Sequence, residues 1–157
     1  MSVDAYRFRP MSQEDAERIA RWHYPEPFDF YDASADTDDL AELISADLRG
    51  DAYVSVEDDA GDLAGFFQFK RRPDAIEIGL GLHPARTGRG LGSAFLDAGL
   101  REARSRFGPT RLVLAVAVFN TRAIKVYERA GFVPTRVYMH STNGGEWQFV
   151  EMELRTL

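Results

Sequence analysis

Gly88, Gly90 and Gly92 stand at alternate positions between an apolar run, residues 79–82, and a helical pattern that begins at Leu91. That spacing can hold a phosphate. Glycine admits positive φ and lets a ligand lie against the backbone, so successive N–H groups can point at one centre. A helix starting there adds unpaired N–H groups and the positive end of its dipole. Two familiar phosphate loops fail on spacing: the dinucleotide fingerprint would need Gly or Ala where Ser93 or Phe95 stands, and the Walker-type loop needs a lysine that this turn lacks. A sharp strand-to-helix turn without any ligand would use the same glycines. A second chemical candidate is Tyr127, seven residues past Asn120 and so almost two helical turns along the same face. Its phenol, with an ordinary pKa of ~10, stays protonated at neutral pH and can donate a proton. A packed aromatic beside Ile124 and Phe132 is the alternative reading.

These residues need elements to position them. Residues 111–119 form an almost unbroken aliphatic run, the mark of a strand buried on both faces. Asn120 suits a helix N-cap and Gly131 the left-handed residue that ends that helix. Strand, turn and helix therefore occur twice, with both helix N-termini able to face one end of a sheet. Upstream, residues 5–9 alternate as a short strand, and Ser12 with Asp15 predicts a capping box opening a helix through Ile19 and Trp22. A loop rich in proline and aromatics covers residues 24–32. Asp36 or Thr37 then caps a second helix carrying Leu40, Leu43, Ile44 and Leu48 at helical spacing. Residues 52–57 and 63–70 pair as a hairpin, and residues 76–82 make the strand before the glycine turn. Leu91, Phe95, Leu96, Leu100, Ala103 and Phe107 mark one face of the following helix. Residues 133–141 and 147–154 close the chain as two strands joined by residues 142–146.

At 157 residues with 45% apolar content, the chain fits a single domain over residues 1–157 with room for a core. No apolar stretch reaches membrane length, and residues 1–4 lack a basic, then apolar, leader pattern, which predicts a cytoplasmic location and no membrane partner. Without cysteine, acyl transfer through a thiolate and Cys-based metal sites are excluded; three scattered histidines predict no metal. Charge is uneven. Residues 1–62 carry 17 acidic against 5 basic side chains, a balance of −12; residues 63–157 carry 8 against 14, or +6, and the two sum to −6. The half holding the glycine turn is basic, with Arg86, Arg89, Arg122 and Lys125 able to attract phosphates. No basic patch points to nucleic acid.

Two segments carry a family resemblance. Thr87-Gly88-Arg89-Gly90-Leu91-Gly92, and Asn120, Ala123, Tyr127, Gly131 and Phe132 in unbroken register, resemble the GCN5-related N-acetyltransferase (GNAT) superfamily, strongly over about residues 75–133 and in element order elsewhere. The resemblance implies an α/β fold whose mixed, mostly antiparallel, twisted sheet of about six to seven strands is splayed between the strands ending near Leu82 and Val118, with about four flanking helices. It implies acetyl-CoA as cosubstrate, held by Leu82, His83, Pro84, Arg86, Thr87, Gly88, Arg89, Gly90, Leu91, Gly92 and Ser93, together with Asn120, Arg122 and Ala123. Thr87 departs from the usual Gln or Arg. Ala115 departs from the glutamate that acetyltransferases of ribosomal-protein N-termini carry there. Leu82-His83-Pro84 before the glycine turn, with Trp22-His23-Tyr24-Pro25 and Phe28-Asp29-Phe30-Tyr31-Asp32, looks like a bacterial subgroup of small acetyltransferases with no substrate implied.

Acetyl transfer to an amine of pKa ~10.4 requires a proton to leave before attack. Glu77, on the strand expected to pass the thioester, is the expected base; an outward polar residue or a partner of Arg71 or Arg72 is the alternative, and His140 and Glu151 are weaker candidates. A backbone N–H near Leu82 would support the charge on the carbonyl oxygen, and Tyr127 would protonate the departing thiolate. The acidic half suggests a cationic primary amine drawn by Glu26, Asp29 and Asp32 beside Phe28 and Tyr31, although an acidic surface also serves solubility. Small amines and peptide N-termini both remain as acceptors, on a monomer or weak homodimer. A domain that binds acyl-CoA without transfer, as a sensor or assembly module, would need the glycine turn but neither Tyr127 nor a base.

Overall fold

Seven segments form one sheet, ordered β1-β2-β3-β4-β5-β7-β6, in a computed structural model that describes residues 6–155. The N-terminal leader reading and Ala5, the start of the first expected strand, lie outside them. The strands are β1 (Arg7–Pro10), β2 (Tyr53–Glu57), β3 (Leu63–Arg72), β4 (Ala75–Leu82), β5 (Arg111–Ala117), β6 (Val133–Thr142) and β7 (Gly145–Leu154). The α-helices are α1 (Gln13–Ala20), α2 (Thr37–Ile44), α3 (Ala46–Arg49), α4 (Gly92–Phe107) and α5 (Thr121–Arg129), with 3₁₀ turns at Phe28–Tyr31, Ala33–Ala35 and Pro84–Arg86. All neighbouring strands are antiparallel except β4 and β5. Among the described residues no helix is long and apolar enough to cross a membrane.

Each face of the sheet has its own core. On one face α4 lays Phe95, Leu96 and Leu100 against Phe67, Ile78, Leu112, Leu114 and Met152. The approach is close: a Cβ on Gly99 would stand 2.1 Å from the Phe67 ring, so only glycine lets the helix sit at this distance. On the other face α1 and α2 bury Ala16, Ile19 and Leu43 with Tyr53 and Leu63. Each fully buried side chain of this size contributes roughly 1.5–3 kcal/mol. The Ser12 capping box forms as expected, its hydroxyl accepting from the Asp15 N–H.

Two elements differ from expectation. The second helix breaks at Ser45, which ends α2 and caps α3 by accepting from the Leu48 N–H; Leu48, expected on the apolar face, is 65% exposed. The last hairpin closes more tightly than predicted, through Asn143 and Gly144 alone, both at positive φ, the two-residue geometry that matches strand twist.

The break between β4 and β5 shapes the molecule. They pair in parallel only from Ala75–Glu77 to Arg111–Val113, and then part. β4 stays bonded to β3 as far as Leu82, and β5 to β7 as far as Ala117, so the gap is walled by two intact ladders.

Candidate active site

A cleft of about 820 Å³ fills that gap and runs on between the sheet and α2. Its polar lining follows from ladder geometry. His83 N–H donates to Ala64 O at 2.8 Å, which makes the odd-numbered residues of β4 the hydrogen-bonded partners of β3; the peptide groups of Leu80 and Leu82 therefore face the gap. Val118 N–H donates to Gln148 O at 2.9 Å, and by the same alternation Ala115 and Ala117 face it from β5. The aromatic loop reaches into this opening. Tyr24 OH donates to Leu82 O at 2.8 Å, and Tyr31 OH accepts from Ala117 N–H at 3.2 Å.

One end of the cleft suits an anion. Gly88 and Gly90 adopt φ of 71° and 74°, as the phosphate reading requires, and a Cβ on Gly90 would meet nothing within 4 Å. Gly92 departs from that reading: it is helical, and a Cβ there would merely touch Val126 at 3.5 Å. No side chain caps α4, so its first N–H groups remain available at the turn. Arg122 lies 4.0 Å over the Phe28 ring beside Gly88, and Lys125 also lines the cleft. Of the other expected cofactor contacts, Leu82, Thr87, Leu91, Asn120 and Ala123 line it as well. Asn120 caps α5 through Ala123 N–H at 3.1 Å, and the Thr87 hydroxyl is spent on Pro84 O at 2.8 Å. Arg86 lines the cleft but is ion-paired with Asp58.

His83, Pro84, Arg89 and Ser93 do not line it. His83 packs edge-on against Trp22, its ring centroid 4.9 Å away, and accepts from Ala85 N–H; partial burial and then Arg86 push its pKa down. Arg89 reaches back to Ala85 O, and Ser93 sits in the first turn of α4.

Tyr127 lines the middle of the cleft, its ring 6.1 Å from Phe132. Burial, reinforced by Tyr31, raises its pKa far above the usual phenol range, so it remains a proton donor at any working pH. Glu77 is placed elsewhere. Its carboxylate accepts from Arg72 Nε at 2.9 Å and from a second Arg72 nitrogen, and it does not line the cleft. The salt-bridge alternative describes what it does here.

The other end is acidic, though not as expected. Glu26 and Asp29 stay off the cleft wall; Tyr31 and Asp32 line it, while Phe28, expected at the acceptor, lies at the glycine-turn end beneath Arg122. Asp32 accepts from Tyr24 N–H at 2.9 Å and meets His23 Nδ1 at 2.6 Å, which raises the His23 pKa. The unforeseen acids are Asp39 and Glu42 of α2, facing Gln68 and Lys70 of β3 and His140 of β6. Their signal was present as an i, i+3 pair beside Leu43. The floor beneath is small, formed by Gly79 and Gly81 of β4 and Ala115 of β5. No group of three or more metal-ligating side chains is assembled among the described residues.

The family model for the acetyltransferase (GNAT) family matches residues 15–132. The mycothiol acetyltransferase of Salinispora arenicola is 40% identical over 115 residues, 64% of this chain and 38% of that protein. Its counterpart from Propionibacterium freudenreichii is 34% identical over 139 residues, 84% of this chain and 43% of its own. The chain thus spans about two fifths of the length of these curated relatives. In structure, the spermidine N-acetyltransferase of Vibrio cholerae in complex with CoA and spermine superposes with a TM-score of 0.75 at 20% identity, covering 96% of this chain and 95% of that one. A GNAT-family acetyltransferase from Bacillus anthracis gives 0.75 at 15% identity, covering 99% and 97%. With a parted β4–β5 pair, a glycine turn at an uncapped helix, and a family model matching three quarters of its length, the chain belongs to the GNAT acetyltransferase family.

Proposed function

We propose that the chain is an acetyl-CoA-dependent N-acetyltransferase whose acceptor is a small primary amine, cationic before it reacts, with both substrates held in one complex. The carrying observation is the continuity of a single cleft from the glycine turn, past Tyr127, to the acids of α2. Positive φ at Gly88 and Gly90, open space at Gly90 and free N–H groups at α4 fit a diphosphate. The names of the relatives, and the CoA and spermine of the Vibrio neighbour, support acetyl transfer.

When bound, acetyl-CoA supplies a thioester whose carbonyl carbon accepts a nucleophile. The chain's own groups do the rest. The glycine turn, Arg122 and Lys125 hold phosphate charge. The peptide groups of Leu80, Leu82 and Ala115 offer ladder positions to an amide-bearing arm, and the Leu82 N–H is the donor for the carbonyl oxygen. Tyr127 delivers a proton to sulfur. Asp32, Asp39 and Glu42 attract the ammonium.

Calorimetric titration with acetyl-CoA, followed by a free-thiol assay against amines and short peptides, tests this. Binding with amine-dependent thiol release is expected. Binding without release on any amine would leave an acyl-CoA-binding module, and no binding would overturn the reading of the glycine turn.

A further inference from the structure

We propose that Asp39, rather than Glu77, accepts the proton of the acceptor ammonium, with the hydrogen-bonded Glu42 beside it; the assignment rests on the transferase reading above. Glu77 is tied to Arg72 and lies off the cleft wall. The remaining carboxylates of the acceptor end differ in how they are engaged. Asp32 is occupied by Tyr24 N–H and His23. Glu42 Oε1 accepts from Tyr53 OH at 2.9 Å and Gln68 Nε2 at 2.7 Å, with Lys70 Nζ at 3.7 Å; these contacts fix the carboxylate in one orientation. Asp39 precedes it by three residues on the same face of α2, lines the cleft, and its carboxylate makes no hydrogen bond among the described residues. Of the three it is the one with neither carboxylate oxygen engaged among the described residues.

The groups facing Asp39 are Asp36 and Glu42 from its own helix, Tyr53 from β2, Lys70 from β3 and His140 from β6. Although exposed at the cleft wall, it is partly desolvated there, which raises its pKa; Asp36 and Glu42 raise it further, and Lys70 and His140 offset part of this. A carboxylate moved toward neutrality is the better base for work near pH 7. Below it Ala115 carries only a methyl group, and Gly79 and Gly81 lie under the side chains of Gln68 and Phe66, which line the same stretch of cleft.

The step balances. One proton passes from R–NH₃⁺ to Asp39 Oδ, freeing the nitrogen lone pair; nitrogen bonds to the acetyl carbon, and the C–S bond breaks with its electrons on sulfur. Tyr127 gives its phenolic proton to sulfur and is restored by the second proton shed from nitrogen. Asp39 releases its proton to solvent through the open cleft, so one proton is produced per amide and thiol formed.

Two measurements test the assignment, with 1,3-diaminopropane as the probe amine. In the first, kcat/KM is followed from pH 6 to pH 10 for wild type, Asp39→Asn and Glu77→Gln. Asp39→Asn is expected to lose about 10²-fold at pH 7 and to recover as the pH rises toward the range where the diamine loses its first proton, which its second ammonium places below that of a simple amine, while Glu77→Gln keeps the wild-type profile. Equal activity of Asp39→Asn and wild type, an equal loss in Glu77→Gln, or a loss in KM alone at every pH would overturn it. In the second, without acetyl-CoA, the Asp39 carboxyl carbon is titrated by NMR in the wild-type chain. Its pKa should lie above the ordinary carboxylate range and fall when the diamine saturates the cleft; a value that does not move would overturn the contact. A wild-type chain that binds acetyl-CoA but acetylates no amine would sink the transferase reading, and the base with it, whereas an active wild type with an unimpaired Asp39→Asn sinks only the base.

Discussion

Tyr127 combines two properties that pull in opposite directions for most phenols: it is enclosed by the protein, yet its hydroxyl makes no hydrogen bond among the described residues and faces the cleft. Removing that hydroxyl costs little packing, because the ring stays against Phe132. Tyr127→Phe should therefore lower kcat by about 10²–10³-fold in the thiol-release assay, with acetyl-CoA affinity and melting temperature nearly unchanged. A fall in melting temperature of many degrees would instead make the residue a packing element. The position was legible from its register with Asn120 and Gly131. Asp39 and Glu42 were not, since an acidic pair on a helix declares no destination until tertiary packing turns that helix over the sheet. Glu77 illustrates the converse: its place on β4 was read correctly, but an arginine five residues earlier claims the carboxylate.

Between elements, Asp36 is the junction to test. It caps α2 by accepting from the N–H groups of Asp38 and Asp39, and it also accepts from Asn143 N–H at 2.8 Å and Thr142 Oγ1 at 3.0 Å at the tip of the β6–β7 hairpin. Asn143 Nδ2 adds a bond to Phe30 O at 2.7 Å. The helix that presents Asp39 and Glu42 is thus clasped to the far edge of the sheet. Asp36→Ala should cost about 1–2 kcal/mol in chemical denaturation through loss of the cap. It should also raise KM for the amine several-fold while leaving acetyl-CoA binding alone; an unchanged KM would detach the clasp from the acceptor site. Local signals such as the Ser12 box and the Asn-Gly turn announced their elements in the sequence. The break at Ser45 did not, because Leu40, Leu43, Ile44 and Leu48 keep helical spacing across it while the serine hydroxyl starts a new cap.

For the whole molecule, acid stability is set where three elements meet. Asp15, at the start of α1, is buried against Arg9 of β1 and Ser55 of β2. Burial opposes its charge, but the hydrogen bonds from Arg9 and Ser55 outweigh it and hold its pKa below the usual carboxylate range. A depressed folded pKa gives stability that is fully present above the unfolded value, ~3.9, and is lost as pH falls through the folded one. Urea unfolding should be nearly level from pH 7 to about pH 5 and weaken below pH 4. Asp15→Asn should flatten that acid limb and cost about 1–3 kcal/mol at pH 7, having left buried donors unpaired. An acid limb that persists in the variant would assign it to other carboxylates.

The parted strands also divide the sheet mechanically. β1 to β4 form one leaf and β5, β7 and β6 another, hinged at three residue pairs near Ala75–Glu77. In the free protein amide hydrogens of Leu80, Leu82 and Ala115, turned toward the gap, should exchange within the first minutes, although α4 packs across both leaves. An arm laid between them would act as a missing strand. Hydrogen exchange should then slow at those three amides.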